Sequence, residues 1–406
     1  MKYAIMGGSF DPVHNGHLGM ALAVMPLGYD RIILVPTYQS PFKPARQGET
    51  AKIRLLMLLS AISGDRRFTV DACEVQREGV SYTIDTLRDI QDRYQFDHKP
   101  ALIFGDDLAA TFPRWKDADL IMREVDIIIA SRLSEAQVRY PYPCTFLGNV
   151  RMDLSSGSVR ETIQGGGDWK PLVPDGVRRI IEEYGLYGAG MVKFDGTDEC
   201  DIVRRGGQDG ISALIRGTEN AALRMMNPYR FIHSRNVALH SADLAGRFGL
   251  DAGSAYLAGI THDICKEFDD DSMTEYALKD GGTLSALERD KPSLLHGRAA
   301  ARLIQERFGI KDEAVIEAVR LHTTGGPDMG PLAKVVYIAD KIETARTTVD
   351  PRLRRIAFGR EGESLSLDAL FRIVFDATVE WLFENGLWVS EETLKLRSSI
   401  VHEKTD

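Results

Sequence analysis

The chain has 406 residues, of which 44% are hydrophobic and 27% are charged, a size and composition typical of two or three globular domains. Its formal net charge of -9 argues against a general binder of nucleic acid or anionic membranes, and no apolar run is long enough to span a bilayer. The four cysteines lie far apart without a C-x-x-C pair, and the N-terminus lacks a signal-peptide pattern, so we expect reduced thiols and a cytoplasmic protein.

The first half of the sequence alternates between short apolar runs and helical stretches. The runs predicted as strands are Tyr3–Met6, Arg31–Val35, Phe68–Cys73, Ala101–Phe104 and Asp126–Ala130. The helical stretches include Leu18–Met25, Ala51–Ile62 and Thr83–Tyr94. This alternation predicts an α/β fold, a doubly wound parallel sheet of the Rossmann-like type, with ligands at the carboxyl ends of its strands.

The second half follows a segment rich in glycine and charge, which we interpret as a linker over residues 189–218. The later stretches with helical periodicity are Phe231–Phe248, Ala255–Ile264, His296–Phe308, Asp312–Leu321, Leu332–Ala345 and Leu367–Phe383. They include no convincing run of strands, so we predict an all-α domain. The predicted domains are residues 1–188 and 219–406.

The motif most informative about function is G-G-S-F-D-P-V-H-N-G-H, from Gly7 to His17, which follows a strand and opens a helix. Glycines let the backbone approach a ligand closely, and a helix N-terminus offers N–H groups to phosphate. His14 and His17 stand beside this anion site, without the lysine of a Walker motif. The pattern predicts an enzyme that handles the phosphates of a nucleotide.

This motif and four later stretches resemble those of the bacterial nicotinate-nucleotide adenylyltransferases, over residues 1 to about 187. The matching stretches are the H-x-G-H signature ending at His17, Glu74–Leu87 (E-V-Q-R-E-G-V-S-Y-T-I-D-T-L), Phe104–Asp106 with Trp115, Leu154–Arg160 (L-S-S-G-S-V-R) and Val173–Tyr187. The resemblance implies adenylyl transfer from ATP to nicotinate mononucleotide, with Mg²⁺ bridging the phosphates. Another phosphorylated acceptor, such as nicotinamide mononucleotide or phosphopantetheine, stays open.

The same resemblance implies roles for individual residues. The implied catalytic residues are His14, His17 and Arg160, which would contact and stabilise the ATP phosphates. The implied binding residues are Gly7, Gly8, Ser9, Phe10, Lys43, Tyr82, Thr83, Gly105, Asp106, Trp115, Ser155 and Ser156, with Tyr82, Thr83 and Trp115 around the pyridine ring. The family often has threonine where this chain has Gly157, so we expect a weaker contact with ATP at most.

A second constellation of histidine and aspartate lies in the other half of the chain. Its members are His233, His262, Asp263, His296, His322 and Asp340, each on or beside a predicted helix. An adjacent His-Asp pair between a distant His and a distant Asp resembles the signature of the HD metal-dependent phosphohydrolases. Six ligands are too many for one open site, so we expect two metal ions with catalytic Asp263 able to bridge them.

The strings around these ligands indicate a substrate class. They are R-F-I-H-S, T-H-D-I-C-K, L-H-G, L-H-T-T-G and Y-I-A-D-K-I-E-T-A-R. They resemble the bacterial HD hydrolases that cleave diadenosine tetraphosphate symmetrically into two ADP, over about residues 219–400. The resemblance implies that the metals are iron and that Lys266, Thr323 and Arg346 contact phosphate.

The leading hypothesis is a bifunctional enzyme that binds ATP, nicotinate mononucleotide and diadenosine tetraphosphate or a related nucleotide. In the alternatives, the second domain cleaves another nucleotide phosphate, or binds a nucleotide through its metals as a sensor without turnover. We interpret His240 as structural and His98 and His402 as surface residues. Nucleic-acid and membrane partners are not expected, and assembly into a homo-oligomer stays open.

Overall fold

The computed structural model describes residues 1–42, 49–94, 96–130, 140–147, 154–192, 210–344, 351–358 and 364–402. The chain divides into two compact units, Met1–Asp195 and Gly196–Asp406, which we call the N-terminal unit and the C-terminal unit. Within the described ranges, no helix has both the length and the apolar character needed to cross a membrane.

A parallel sheet of six strands organises the N-terminal unit. The strands are β1 (Tyr3–Gly8), β2 (Arg31–Pro36), β3 (Phe68–Val70), β4 (Ala101–Gly105), β5 (Asp126–Ala130) and β6 (Thr145–Leu147). Their order is β3-β2-β1-β4-β5-β6, with Tyr3 of β1 opposite Arg31 of β2 and Ala4 opposite Ala101 of β4. The order reverses between β1 and β4, and such sheets bind ligands in the crevice at that point.

The strands read as continuous apolar runs because the sheet is covered on both faces. Every residue of β2 is buried, as expected for a parallel strand between two layers. The helices of this unit are α1 (Asn15–Leu22), α2 (Ala51–Ala61), α3 (Cys73–Arg77), α4 (Thr83–Tyr94), α5 (Asp106–Ala109), α6 (Ala118–Glu124), α7 (Ser156–Gln164) and α8 (Asp175–Tyr184). Ile84 and Leu87 of α4 pack in one core cluster with Ile5 and Leu102 of the sheet.

The predicted α/β class and all five predicted strands are confirmed, although β1, β2 and β4 run one or two residues further than predicted, β3 is shorter, and a sixth strand is added. The strand predicted over Phe68–Cys73 ends at Val70. Asp71 accounts for the difference, because its carboxylate accepts the Cys73 N–H at 3.0 Å and starts the turn into α3. The sixth strand, β6, is only three residues long, so its alternation was too short to predict.

The described part of the C-terminal unit is helical, which confirms the all-α prediction. Its helices are α9 (Ile211–Met225), α10 (Pro228–Arg247), α11 (Ala252–Thr261), α12 (Asp270–Leu278), α13 (Ala286–Asp290), α14 (His296–Phe308), α15 (Glu313–Leu321), α16 (Pro331–Ile342), α17 (Pro351–Phe358), α18 (Leu367–Glu384) and α19 (Glu391–His402). The long helix α10 packs against α11 and α16.

Helix α9 corrects the predicted linker over residues 189–218, because it begins at Ile211. Its Glu219 is fully buried and forms an ion pair with buried Arg235 of α10, at 3.1 Å between Oε1 and Nε, and accepts a hydrogen bond from Tyr256. A buried charge needs such partners, and they fix the helix to the core. Residues 193–209 of the predicted linker lie outside the described residues.

The close crossing of α10 and α11 generates a prediction about stability. A Cβ added to Gly259 of α11 would meet the Ala238 backbone of α10, lying 2.7 Å from its nitrogen. Because backbone cannot move aside cheaply, we expect Gly259→Ala to lower the free energy of unfolding by about 1–3 kcal/mol.

The matched control for this prediction is Gly246→Ala, which lies in α10 with no atom within 4 Å of the new Cβ. We expect it to be neutral or stabilising by up to about 1 kcal/mol, because alanine favours helix. Denaturant unfolding of the full chain measures both variants. Equal effects at the two glycines would contradict the tight crossing.

Candidate active sites

The first candidate site is built on the loop between β1 and α1. His14 is the residue before α1 and is buried, and its backbone N–H donates to Nδ1 of His17 at 3.3 Å. The two imidazole rings lie 3.7 Å apart between centroids, tilted by 32°. A Cβ at Gly16 would lie only 2.9 Å from Nδ1 of His14, so this glycine permits the packing of the His14 ring.

Phe10 supports this histidine pair from behind. Its backbone has a positive φ of 47°, which is uncommon for a residue with a side chain. The Phe10 ring is buried, lies 5.1 Å from the His17 ring between centroids, and would be 3.0 Å from a Cβ at Gly8. Phe10 was predicted to bind substrate, but it does not line the cavity described below.

The start of α7 is joined to the same loop by hydrogen bonds that cross about 150 residues of sequence. Ser156 Oγ donates to the carbonyl of Pro12 at 2.9 Å, and Arg160 Nη1 donates to the carbonyl of Asp11 at 2.5 Å. The Tyr187 hydroxyl donates to Oδ1 of Asp11 at 2.7 Å. Ser155 caps α7 by accepting the N–H of Ser158 at 3.0 Å. Two helix N-termini are therefore held beside the two histidines.

A cavity of about 1060 Å³ lies at this edge of the sheet. That volume is at the upper end for ligand pockets and suits a ligand the size of a dinucleotide. All N-terminal site residues predicted from the sequence line it, except Phe10, Asp106 and Lys43. Asp107 lines the cavity in place of Asp106, and Lys43 lies outside the described residues. A Cβ at Gly157 would make only an ordinary contact, 3.6 Å from Ser155 Oγ, so the glycine leaves room there.

The far end of the cavity is aromatic. The Trp115 ring lies 5.3 Å from both Phe104 and Phe112 between centroids, and the Lys116 ammonium lies 4.7 Å from the centre of the Tyr82 ring. The Trp115 indole Nε1 is buried and finds no hydrogen-bond acceptor among the described residues. Since this nitrogen only donates, this end of the cavity can offer a donor and flat apolar surfaces to a ring.

Sequence reasoning missed several residues of this cavity. Glu74 is buried and lines it, and Oε1 of Glu74 accepts the Thr86 hydroxyl at 2.6 Å. Burial raises the pKa of the Glu74 carboxyl. Arg114 and Lys116 also line the cavity and add positive charge. The R-W-K string around Trp115 was the available sequence signal for these two residues.

The second candidate site lies in the C-terminal unit, where the ends of other helices meet the second turn of α10. His233 lies inside α10, and Asp340 lies in the last turns of α16. His262 and His322 are the residues that end α11 and α15, and His296 begins α14. All six predicted ligands, including Asp263, are buried, and the structure brings all of them together, with His296 beside Asp263 and His322.

Three of the predicted ligands and one carboxylate oxygen form a first group, which we call position 1. His233 Nε2 lies 3.3 Å from both His262 Nε2 and Asp340 Oδ1. Asp263 Oδ2 lies 3.6 Å from His233 Nε2 and 3.7 Å from His262 Nε2. Donor atoms this close to one another are separated like the ligands of one metal ion at its usual bond lengths.

The second group, position 2, uses the other oxygen of the same carboxylate. His296 Nε2 and His322 Nε2 are 3.0 Å apart, and Asp263 Oδ1 lies 3.2 Å and 3.5 Å from them respectively. The Thr323 hydroxyl is 3.0 Å from both imidazole nitrogens. Asp263 therefore stands between two groups of donors.

The imidazoles are oriented for metal binding by their other ring nitrogen. Nδ1 of His262, His296 and His322 lies 2.6–2.7 Å from the carbonyl oxygen three residues earlier in each case. A carbonyl only accepts, so each Nδ1 carries the proton and each Nε2 presents its lone pair to the centre. Burial lowers the pKa of His262 to about 3 and that of His296 to about 4, which keeps both rings neutral near pH 7. This donor set fits divalent transition metals.

Cationic side chains surround the donors. Arg230 Nη1 donates to Asp263 Oδ2 and Lys341 Nζ to Asp340 Oδ2, each at 2.7 Å, and Lys266 Nζ lies 3.1 Å from His296 Nδ1. Lys266 and Thr323, which were predicted to contact phosphate, lie beside the histidines of position 2, whereas Arg346 lies outside the described residues. Arg230 and Lys341 were not predicted, although each is close in sequence to a predicted ligand.

Comparison with known proteins assigns both halves of the chain. The family model Cytidylyltransferase-like matches residues 5–162, and the model HD domain matches residues 230–345. A "Probable nicotinate-nucleotide adenylyltransferase" of Treponema pallidum (strain Nichols) is 38% identical over 202 residues, covering 46% of this chain and 99% of the relative. The first half of the chain belongs to the nicotinate-nucleotide adenylyltransferase family. The second half contains an HD domain.

Two further proteins are similar to one half each. A "Probable nicotinate-nucleotide adenylyltransferase" of Bacillus licheniformis is 36% identical over 187 residues, covering 46% of this chain and 98% of the relative. A crystal structure described as a "predicted HD superfamily hydrolase involved in NAD metabolism", from Clostridium acetobutylicum, is 29% identical and covers 46% of this chain and 96% of that one. The TM-score of this likeness is 0.42.

The shared carboxylate of the HD domain generates a prediction about metal content. We expect the full chain, reconstituted with Mn²⁺ and dialysed, to hold two ions, because the donors form two groups around Asp263. Asp263→Ala removes a ligand from both positions, so we expect less than one ion to remain. Elemental analysis by mass spectrometry measures the content.

The matched control is His240→Ala, in the same helix as His233. The His240 ring packs 4.6 Å from the Phe358 ring between centroids, and no candidate metal group includes it. We expect this variant to keep both ions. Retention of two ions by Asp263→Ala, or their loss in His240→Ala, would contradict the assignment of the ligands.

Proposed function

We propose that the chain is a bifunctional enzyme. The N-terminal unit transfers an adenylyl group from ATP to nicotinate mononucleotide, giving nicotinate adenine dinucleotide and pyrophosphate. The HD domain hydrolyses diadenosine tetraphosphate into two ADP. The observation that supports the first activity best is that His14, His17 and the start of α7 line the same cavity as Trp115, in a unit of the adenylyltransferase family.

Catalysis of adenylyl transfer depends mainly on positioning the two substrates and on stabilising negative charge. An oxygen of the acceptor phosphate attacks the α-phosphorus of ATP, a new P–O–P bridge forms, and the bond to the β-phosphate breaks to release pyrophosphate. The His14–His17 pair, Arg160 and the N–H groups at the start of α7 stabilise the charge that spreads over the transferring group. Mg²⁺ bound to ATP would supply further positive charge beside its phosphates.

The aromatic end of the cavity supports a pyridine nucleotide as the acceptor. Trp115 and Tyr82 provide flat surfaces for a ring, and the buried Trp115 N–H supplies a donor to an oxygen on that ring. A flexible phosphopantetheine arm would use neither feature. These contacts do not distinguish a ring carboxylate from a carboxamide, so the preference for nicotinate rests on the family.

The histidine pair is tested by His17→Ala in the full chain. We expect kcat for dinucleotide formation to fall about 10²- to 10³-fold, because the ring stabilises charge that develops in the transition state. The exposed His98 offers the matched control, and His98→Ala should keep full activity. Dinucleotide formed from ATP and each mononucleotide is measured by chromatography. Full activity in His17→Ala would overturn the proposed role.

The HD domain supports hydrolysis of a phosphate anhydride. When bound at positions 1 and 2, a pair of metal ions supplies an activated water and a hold on a phosphate oxygen. Arg230, Lys266 and Lys341 bring positive charge to the same place and can contact the polyphosphate. In symmetrical hydrolysis the water oxygen joins one central phosphorus, and the bridging oxygen leaves on the other ADP.

The substrate is tested by incubating the Mn²⁺-loaded full chain with diadenosine tetraphosphate and separating the products. We expect two ADP from the wild type, at least a 10²-fold loss of rate in Asp263→Ala, and no change in His240→Ala. ATP plus AMP would overturn symmetrical cleavage. Metal-loaded protein without turnover would overturn this substrate and favour another nucleotide phosphate or a sensor.

A further inference from the structure

One of the four histidines predicted as metal ligands is oriented differently from the other three. His262, His296 and His322 lie at helix ends, and each uses the carbonyl three residues earlier as the partner of Nδ1. His233 lies inside the 20-residue helix α10, where helix hydrogen bonds already occupy the preceding carbonyls. Its Nδ1 therefore needs a partner from another element.

That partner is Glu343, the residue that follows α16. Oε1 of Glu343 lies 3.1 Å from His233 Nδ1, and the side chain is only 1% exposed. Glu343 comes three residues after Asp340, so both carboxylates lie on one face of the helix end. Asp340 Oδ1 faces Nε2 of the same ring at 3.3 Å. One helix end thus holds both nitrogens of His233.

Further contacts fix the Glu343 side chain and backbone. Its Oε2 accepts a hydrogen bond from Asn236 Nδ2 at 3.3 Å, one turn along α10 from His233. Buried Arg354 of α17 donates to the carbonyls of Ile342 and Glu343, at 2.8 Å and 2.6 Å. A carboxylate held this firmly behind an imidazole orients the ring and makes it a stronger ligand.

We propose that Glu343 is a positioning residue that makes position 1 the tighter of the two metal positions. The inference rests on the proposed metal binding by the HD domain. Position 1 has Asp340, one oxygen of Asp263 and, behind His233, Glu343, whereas among the described residues the carboxylate oxygen at position 2 is the other one of Asp263. No carboxylate in the described part of the chain is recorded behind His296 or His322.

The neighbouring cations sharpen this difference. Lys341 and Arg230 bind the Oδ2 atoms of Asp340 and Asp263, which offsets part of the negative charge at position 1. Lys266 Nζ lies 3.1 Å from His296 Nδ1, and the described part of the chain places no carboxylate besides Asp263 at position 2 to offset this charge. Position 1 therefore keeps the larger attraction for a divalent cation.

The test is a Mn²⁺ titration of the metal-free full chain, with free Mn²⁺ measured by electron paramagnetic resonance. We expect two classes of ion in the wild type. Glu343→Ala should weaken the tighter class about 10- to 100-fold and leave the weaker class unchanged. In Glu343→Gln, the affinity of the tighter class should lie between those of the wild type and Glu343→Ala. The amide oxygen of glutamine still accepts the Nδ1–H of His233, but it carries no charge.

The matched control is Glu317→Gln, which removes another carboxylate from the same unit. Glu317 accepts the N–H of Gly330 at 3.0 Å and is recorded in no contact with a histidine of the cluster. We expect its two classes to match those of the wild type. Circular dichroism shows whether each variant folds. If Glu343→Ala does not fold, the titration of Glu343→Gln tests the proposal.

The outcomes separate the inference from the function beneath it. A wild-type chain that binds no Mn²⁺ would overturn metal binding by the HD domain. If the wild type shows two classes and their Mn²⁺ affinities are unchanged in both Glu343 variants, only the positioning role of Glu343 is overturned. The same holds if the affinities of both classes fall equally.

Discussion

The C-terminal unit depends on one buried carboxylate, Asp263, whose two oxygens face opposite groups of donors. A buried charge is stable only with close partners, and here Arg230 and the surrounding imidazoles provide them. Because those imidazoles come from distant parts of the sequence, α10, α11, α14 and α15 must converge on Asp263. The charge of a single side chain thereby constrains the packing of most of the helical core.

In the N-terminal unit, backbone groups and not a carboxylate bring the parts of the candidate site together. Its strand order places the end of β1 beside the end of β4, and the hydrogen bonds to Asp11 and Pro12 bring the start of α7 to the same edge. N–H groups and guanidinium there suit a polyanion, as carboxylate and imidazole in the other unit suit a cation. The N-terminal cavity therefore suits the phosphates of a nucleotide, whereas positions 1 and 2 suit divalent metal ions.

The sequence predicted the parts of the fold and sites that local pattern determines. Long apolar runs predicted the strands, and separate histidine and aspartate motifs predicted six side chains that the structure brings together. It could not choose Asp107 over Asp106, because the choice depends on how α5 leaves β4. It missed the start of α9, whose buried Glu219 reads as surface until Arg235 is seen opposite. Such contacts join residues that are distant in the sequence, so local sequence pattern does not predict them.

Glu343 illustrates the same limit at the level of a single ligand. A histidine at a helix end can be oriented by its own backbone, so its geometry is local, whereas a histidine inside a helix must borrow a partner. The partner of His233 is held in turn by Arg354, so position 1 depends on how α17 packs against the end of α16. Position 2 takes the Nδ1 partners of both its histidines from local backbone carbonyls. Orientation of the ligands is therefore local at position 2, whereas at position 1 it is local for His262 and long-range for His233.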